Sequence, residues 1–347
     1  MKNKKDWKFI PYSLYNNSEI YYRLKKIMSY NLPWMGIVGA RGRGKTFAVK
    51  EYLINDFINK GRRFIWCRDS AADCEKLAED NGLKFLEDID IMDCPGLTEV
   101  KVKGWTIYIN GKNAGELMPA SLYQSYKGDS YQSVYNVNYD EFIPESIVRH
   151  KVGVRAKVNT MSTVFRLREA GRIFMTSNAL DRGDEFLQFL GVDLIDFGFY
   201  VNRRMGFVLH YADNSAEFDR KNSKGLVGKL LLNANSNLCE SIMGAKFEQK
   251  QDLIFEKLPP KCTLFVIIES FTTKARLYKS KDCMFVTPDV DRTTYMNRRY
   301  VVNIEEAEPF KPVLSGEIKK KLKQLLVNNK FRFQSTFLQN FITEVLK

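Results

Sequence analysis

Short apolar runs alternate with amphipathic stretches through the first half of the chain. Residues 35–38 form an apolar run of the kind found in strands that are buried on both faces. Apolar residues recur with helical spacing from residue 46 to residue 57. Residues 63–67 then predict a second strand, and residues 71–81 predict a helix. Strands that alternate with helices in this way predict a mostly parallel sheet.

The same alternation continues to about residue 176. Two alternating runs in residues 101–117 flank Asn110 and Gly111, and an Asn-Gly pair in this position is a strong hairpin signal. Residues 134–139 alternate like a strand. After a helical stretch, residues 172–176 predict one more strand.

The pattern changes in the second half. Periodicity weakens between about residues 202 and 237, where the composition favours a partly helical connector with a helix at 226–232. After Cys262, three short strands with short turns predict an antiparallel meander, at residues 263–268, 274–278 and 284–286. Two amphipathic helices follow, at residues 318–328 and 335–346.

These patterns predict an α/β fold with a mostly parallel sheet and a smaller C-terminal α+β domain. We place the first domain at residues 1–207, a partly helical linker at 208–246 and the C-terminal domain at 247–347. A chain of 347 residues exceeds one ordinary core, which agrees with two domains.

Composition narrows the class of protein. The chain is 44% apolar and 13% aromatic, as folded globular proteins are, and no apolar run approaches the ~20 residues that a membrane span needs. The polar N-terminus predicts no secretory signal. Six cysteines without a C-x-x-C pair and only two histidines make a zinc site improbable and favour a reducing cytoplasm.

The formal net charge is +13, from 54 basic and 41 acidic residues. The excess is concentrated in residues 1–30, 149–172 and 311–332, each of which holds seven Lys or Arg. This charge would attract a polyanion. One interpretation is a solvated basic surface; the other, which we favour, is binding to nucleic acid.

A complete phosphate-binding loop follows the first predicted strand. Its residues are Gly39, Ala40, Arg41, Gly42, Arg43, Gly44, Lys45 and Thr46. The pattern requires Gly, four free positions and then Gly-Lys-Ser/Thr. Glycines let backbone N–H groups approach phosphate oxygens, Lys45 would reach the β- and γ-phosphates, and Thr46 would hold Mg²⁺. Strand, loop and helix in this order predict an ATP site with Mg²⁺.

Asp140 and Glu141 supply the second half of such a site. An Asp at a strand end can hold Mg²⁺, and the adjacent Glu can polarise the attacking water. Alone, an Asp-Glu pair is often only solvated surface. Behind a strand and downstream of the phosphate loop, it predicts an ATP hydrolase rather than a kinase, because a kinase needs an acceptor site instead of a base for water.

Several further polar residues have two interpretations each. Ser177 and Asn178 end a predicted strand and could contact the γ-phosphate as a sensor, or form a helix cap or Asx-turn. Arg166 and Arg168 could act on the site of a neighbouring subunit, or lie on the surface and contact DNA. Lys127 could also act in trans, although a solvated position is favoured.

Arg41 and Arg43 are unusual within a phosphate loop. Either guanidinium could contact phosphate or swing toward Glu141, and simple exposure is an equal alternative.

Taken together, four motifs resemble one known family: the loop at residues 39–46, Asp-Glu-Phe at 140–142, Thr-Val-Phe-Arg at 163–166 and Ser-Asn-Ala at 177–179. The chain resembles the DNA-packaging ATPases of small tailed phages of the phi29 type. The likeness covers most of the chain, including Lys127 and the three-strand meander.

The resemblance implies an additional-strand P-loop ATPase of the terminase kind. Such an ATPase assembles as a ring, of five subunits in this family, on the portal vertex of a prohead in the host cytoplasm and drives double-stranded DNA inward. It is absent from the mature virion, and some relatives sit on a structural RNA. The resemblance also implies that Glu141 is the catalytic glutamate, Arg166 a trans-acting finger and Asn178 a sensor.

The resemblance further implies a degenerate ribonuclease-H-like C-terminal domain. Larger relatives use clustered acids there to cut DNA with two metals. The candidate acids here are Glu269, Asp289, Asp291, Glu305 and Glu306. Glu269 has no partner acid on its strand, so we expect a vestigial site that grips DNA or docks on the portal. The rival functions are a nuclease-competent large terminase and a nucleotide-gated nucleic-acid adaptor.

Overall fold

The computed structural model divides into two compact units, residues 1–181 with 185–248, and residues 182–184 with 249–347. It describes residues 6–11, 20–126, 131–143, 152–178, 184–194, 196–226, 228–229, 255, 257–270, 273–281, 283–289, 298–302, 307–309, 311–328 and 330–346. Five residues singled out above lie outside this described part: Lys127, Ala179, Asp291, Glu305 and Glu306.

Ten strands form the sheet of the first unit. They are β1 (Lys8–Pro11), β2 (Trp34–Gly39), β3 (Arg63–Arg68), β4 (Val100–Lys103), β5 (Thr106–Ile109), β6 (Lys112–Pro119), β7 (Val134–Asp140), β8 (Arg172–Asn178), β9 (Gly198–Asn202) and β10 (Phe207–Ala212). The order is β1-β9-β10-β2-β8-β7-β3-β6-β5-β4, in which the six strands from β10 to β6 are parallel. The predicted mostly parallel sheet is therefore confirmed, and β8 lies between β2 and β7.

Helices cover both faces of this sheet. They are α1 (Lys25–Met28), α2 (Lys45–Lys60), α3 (Ala71–Leu86), α4 (Val154–Phe165), α5 (Glu185–Leu190) and α6 (Ala216–Lys224). One face packs against α2 through Val49 and Leu53, and the other against α4 through Met161 and Val164. Burial on both faces explains the apolar runs in the central strands β2, β3 and β8. The predicted end of α3 near Asn81 coincides with a kink in the helix.

The predicted boundary at residue 207 is wrong. β10 is buried throughout, and it pairs in parallel with β2 and antiparallel with β9. Helix α6 follows within the first unit, so residues 208–224 are not a linker. Polar residues on both sides of this six-residue strand hid it from the sequence pattern. Of the predicted helix at 226–232, only residues 226, 228 and 229 are described, and they are helical.

The described residues of the second unit form a five-stranded sheet and two helices. Its strands are β11 (Thr263–Glu269), β12 (Lys274–Ser280), β13 (Cys283–Pro288), β14 (Arg299–Val301) and β15 (Phe331–Phe333), and its helices are α7 (Gly316–Val327) and α8 (Thr336–Val345). The antiparallel pairing of β11, β12 and β13 confirms the predicted meander. β14 joins in parallel to β11, and β15 in parallel to β13. Leu277, Val286, Leu322 and Ile342 form part of the core.

Candidate ATPase site

The phosphate loop connects the carboxyl end of β2 to the start of α2. Gly44 precedes the helix with a φ of 80°, in the left-handed region that only glycine adopts readily. The carboxyl ends of β8 and β7 lie beside that of β2, since the three strands are parallel neighbours. Residues far apart in sequence therefore converge at the N-terminus of α2, where backbone N–H groups favour an anion.

Lys45 is buried within this loop. Its ammonium donates to the carbonyl oxygens of Gly39 (3.0 Å) and Ala40 (2.6 Å) and to Oδ1 of Asn178 (3.3 Å). Burial lowers the pKa of Lys45 to about 7; the carboxylate of Asp140 partly offsets this effect, and the charge of Arg43 adds to it. Lys45 therefore titrates close to neutral pH.

Asp140, at the end of β7, accepts hydrogen bonds from two threonine hydroxyls. Its Oδ1 accepts from Thr46 (3.1 Å) and from Thr176 (2.8 Å), and its side chain is almost fully buried. A threonine hydroxyl and a carboxylate placed side by side are the hard oxygen ligands that suit Mg²⁺. The donor set of Thr46 and Asp140 thus fits the ion that the phosphate loop implies.

Glu141 follows with a φ of 57°, a conformation that non-glycine residues seldom adopt outside functional sites. Its side chain is 44% exposed, and Oε2 accepts from Nη2 of Arg68 at 2.6 Å. The other nitrogen of the same guanidinium, Nη1, donates to Asp140 Oδ2 at 2.8 Å. Burial acts to lower the pKa of Arg68, but the two carboxylates outweigh it and raise that pKa above its ordinary value. Arg68 therefore orients both acids.

A buried lysine supports the segment after Glu141. Lys157, on α4, donates to the carbonyl oxygen of Phe142 and lies 3.5 Å from a carboxylate oxygen of Asp69. Asp69 also accepts from the hydroxyl of Tyr139. The sequence analysis missed Arg68, Asp69 and Lys157 as parts of the site. Their only signal was that Arg68 and Asp69 end a predicted strand, as Asp140 does.

Ser177 and Asn178 behave differently. Successive side chains of a strand point to opposite faces. Asn178 lies beside Lys45, whereas the Ser177 hydroxyl donates to the carbonyl of Ile143 at 3.0 Å. Ser177 thus holds the segment after Glu141, and the sensor role predicted for it is not supported. Asn178 remains the candidate.

The two arginines of the loop also differ. Arg41 is exposed. Arg43 is buried, and its guanidinium donates to the carbonyl oxygens of Ile20 and Asp213 and lies 5.4 Å from the ring centroid of Phe218. Arg43 therefore fastens the segments before β2 and after β10 to the loop. Its burial contradicts the simple exposure that was one alternative for this residue.

Arg166 lies at the opposite edge of the sheet. It follows α4 just before β8 begins at Arg172, whereas Asn178 at the other end of β8 touches Lys45. Seven residues of strand span about 20 Å, so Arg166 lies too far away to act on the phosphate loop of its own chain. Its side chain is exposed. This placement suits a residue that acts in trans.

Arg168 is not available for the same role. Its guanidinium donates to the backbone carbonyl oxygens of Gln132, Val134, Val164 and Phe165. Lys157 is buried, and Arg172 binds the hydroxyl of Tyr52. Of the five described basic residues in the run at 149–172, three therefore make internal contacts, whereas Arg155 and Arg166 are exposed.

A model of the family described as podovirus DNA encapsidation protein (Gp16) matches residues 16–346. The chain belongs to this family. Its curated relatives include the DNA packaging protein of Bacillus phage phi29, 26% identical over 342 residues that cover 95% of this chain and 98% of that protein. The DNA packaging protein of Bacillus phage PZA is 27% identical with the same coverage.

Solved structures show the same fold as this Gp16-family chain. A chain of the bacteriophage phi29 viral genome packaging motor assembly aligns with a TM-score of 0.67 at 24% identity, over 95% of this chain and all of that one. A chain of the phi28 gp11 DNA packaging motor aligns with a TM-score of 0.66 at 18% identity, over 95% and 99% of the two chains. Among the helices of the described residues, none is long and apolar enough to cross a membrane.

The two described candidate acids of the second unit, Glu269 and Asp289, form ion pairs in this family member. Glu269 pairs with Arg299, and Asp289 pairs with both Arg276 and Arg299. All four side chains are nearly buried, so arginine already neutralises the carboxylates. Within the described part of the chain, no three acidic, histidine or cysteine side chains come together as a metal site would require. This arrangement does not favour the nuclease-competent alternative.

Proposed function

We propose that this Gp16-family protein is an ATPase that couples ATP hydrolysis to the movement of double-stranded DNA into a preformed prohead. The observation that carries the proposal is the convergence of Lys45, Thr46, Asp140 and Asn178 at one edge of the sheet, with Glu141 next to Asp140. The names of the phi29 and PZA relatives, DNA packaging proteins, support the choice of DNA as cargo.

Each residue has a chemical role in hydrolysis. Lys45 and the backbone of residues 39–46 bind the phosphates of ATP. Thr46 and Asp140 would hold Mg²⁺, which would offset the negative charge of the phosphates during hydrolysis. Glu141, oriented by Arg68, accepts a proton from the water whose oxygen bonds to the γ-phosphorus. The bond from that phosphorus to the bridging oxygen breaks, giving ADP and phosphate, and Asn178 senses the change through Lys45.

Arg166 completes the site of a neighbouring subunit in this proposal. Its distance from the loop of its own chain and its exposure support a finger that acts in trans. Such a finger requires a neighbouring subunit, and we propose a ring of five subunits on the portal of the prohead. The site of action is then the portal vertex during assembly in the host cytoplasm, and the mature virion lacks the protein.

For the second unit, we propose a ribonuclease-H-like domain that has lost nuclease chemistry. The meander of β11 to β13 with β14 parallel to β11 supports this origin. The arginine pairs of Glu269 and Asp289 support the loss of metal binding. Exposed lysines on and after α7 favour contact with DNA or the portal: Lys320, Lys321, Lys323 and Lys330.

The Glu141→Gln variant tests the hydrolytic assignment. It removes the base and keeps the shape, so phosphate release should fall by at least 10²-fold while ATP still binds with unchanged affinity. A fluorescent ATP analogue and a phosphate-release assay measure the two quantities. Glu116→Gln, in an ion pair with Arg63 elsewhere on the sheet, is the matched control and should retain turnover. Retained turnover in Glu141→Gln would contradict the assignment, and a purely nucleotide-gated adaptor predicts no turnover in the unaltered protein.

A further inference from the structure

The turn after α4 has an unusual backbone. Arg166 ends the helix with φ 49° and ψ −117°, outside the regions that residues with side chains prefer. Its N–H still donates to the carbonyl of Ser162 at 2.8 Å. Arg166 is exposed, and Leu167 is 98% exposed beside it. A strained residue at an exposed tip persists only where the surrounding structure holds it.

Arg168 supplies that hold. Its guanidinium donates to four backbone carbonyls, those of Gln132 (3.1 Å), Val134 (2.5 Å), Val164 (2.5 Å) and Phe165 (3.4 Å). Two of these carbonyls lie in the last turn of α4, and two lie at or just before the start of β7. The Arg168 side chain therefore connects the last turn of α4 to the start of β7.

The ring of Phe165 completes this clamp. The Arg168 guanidinium carbon lies 5.2 Å from its ring centroid. On the other side, a Cβ at Gly171 would come within 2.2 Å of the same ring, so only glycine leaves room for it. The turn from Phe165 to Gly171 is thus packed on itself, with Arg166 and Leu167 projecting outward.

We propose that Arg168 is the positioning residue for Arg166, and that it aims the Arg166 guanidinium at the nucleotide phosphates of a second copy of this chain. The inference rests on the proposed function. Arg166 touches the neighbour's ATP, whereas Arg168 acts only through the backbone of the tip. A displacement of about 1 Å at a catalytic group can cost about 10²-fold in rate, so the clamp matters even though it touches no substrate.

Turnover and ATP binding by the full-length protein, assembled with proheads and double-stranded DNA, provide the first part of the test. Arg166→Ala should lower turnover by at least about 10³-fold. Arg168→Ala should lower it by about 10²-fold, with the affinity for a fluorescent ATP analogue unchanged in both. Arg172→Ala removes a nearby arginine that binds Tyr52 instead of the tip, and it should retain turnover.

Mixed assemblies separate positioning from damage to the fold. Glu141→Gln subunits have an inactive site of their own but an intact tip. Mixed with Arg168→Ala subunits, whose own sites are intact, they should restore turnover well above that of either variant alone. Arg166→Ala mixed with Glu141→Gln should recover in the same way, while Arg166→Ala mixed with Arg168→Ala should not recover.

The outcomes are distinguishable. If Arg168→Ala is not restored by Glu141→Gln subunits although Arg166→Ala is, the positioning role is overturned. If Arg168→Ala has wild-type turnover, or Arg166→Ala does, the inference fails while the ATPase function stands. If the unaltered protein does not hydrolyse ATP, the proposed function itself fails. Should Arg168→Ala not bind ATP, Arg168→Lys, which keeps the charge but cannot reach four carbonyls, decides by the same mixtures.

Discussion

The surroundings of Lys45 determine its burial, and those of Arg166 determine its backbone conformation. Lys45 is enclosed by carbonyl oxygens and by Asn178, which satisfies its ammonium but removes it from water. Arg166 is exposed but has a backbone conformation that costs stability. Burial of the Lys45 ammonium and the backbone conformation of Arg166 are both unfavourable, and both occur at residues that the proposed chemistry needs.

The pKa of Lys45, about 7, predicts proton uptake when ATP binds. Above pH 7 the lysine of the free protein is mostly neutral, and the negative phosphates favour its protonated form. Binding at pH 8 should therefore take up to about one proton, and binding at pH 6 should take up almost none. Calorimetric titration in buffers of different ionisation enthalpy measures this number. Equal uptake at both pH values would contradict the assignment.

The strain at Arg166 predicts an inverted order of stability. Glycine tolerates the positive φ, so Arg166→Gly should be more stable to denaturant than Arg166→Ala by about 1 kcal/mol. Asn159, in the middle of α4, is the control. There the glycine variant should be less stable than the alanine variant by about 1 kcal/mol, because the backbone is helical. The same order at both positions would show that Arg166 carries no strain.

At the scale of elements, parallel strands explain how the site forms. Asp140 and Asn178 end neighbouring strands β7 and β8, and the phosphate loop follows β2 beside them. The sequence predicted this convergence because each strand was an apolar or alternating run with its polar residues at the end. Asn178 and Ser177 could not be separated in advance, since which of them faces the loop depends on the register of β8.

Other elements could not be predicted from local pattern. β10 is only six residues long and lies between polar stretches, so its burial comes from its neighbours β2 and β9. The positive charges of Arg68, Lys157 and Arg168 would predict that these side chains lie on the surface. Their burial is decided by long-range partners, namely the carboxylates and carbonyls to which they donate.

The position of β10 within the sheet predicts which truncated forms of the first unit can fold. A chain ending at residue 207 loses the partner of both β2 and β9, together with the buried side chains of Leu209 and Tyr211. Each such side chain contributes about 2–5 kcal/mol, comparable with the total stability of a domain. This chain should show no cooperative unfolding by circular dichroism, whereas a chain ending at residue 248 should unfold cooperatively. Equal behaviour would contradict the assignment of β10 to the core.

At the scale of the whole molecule, the charge of +13 has two components. Part of it is internal, as Lys157, Arg168 and Arg172 show. The rest includes the exposed lysines of α7, which leave a positive surface on the second unit. Contacts with the DNA backbone suffice for translocation that ignores sequence, and they weaken as salt rises.

We propose that ATP hydrolysis at Glu141 moves DNA into a prohead. The most direct measurement is the amount of double-stranded DNA that proheads and the full-length protein protect from added nuclease in the presence of ATP. We predict protection with the unaltered protein and ATP, and almost none with a non-hydrolysable ATP analogue or with Glu141→Gln. ATP turnover by the unaltered protein without protected DNA, or full protection with Glu141→Gln, would contradict the account.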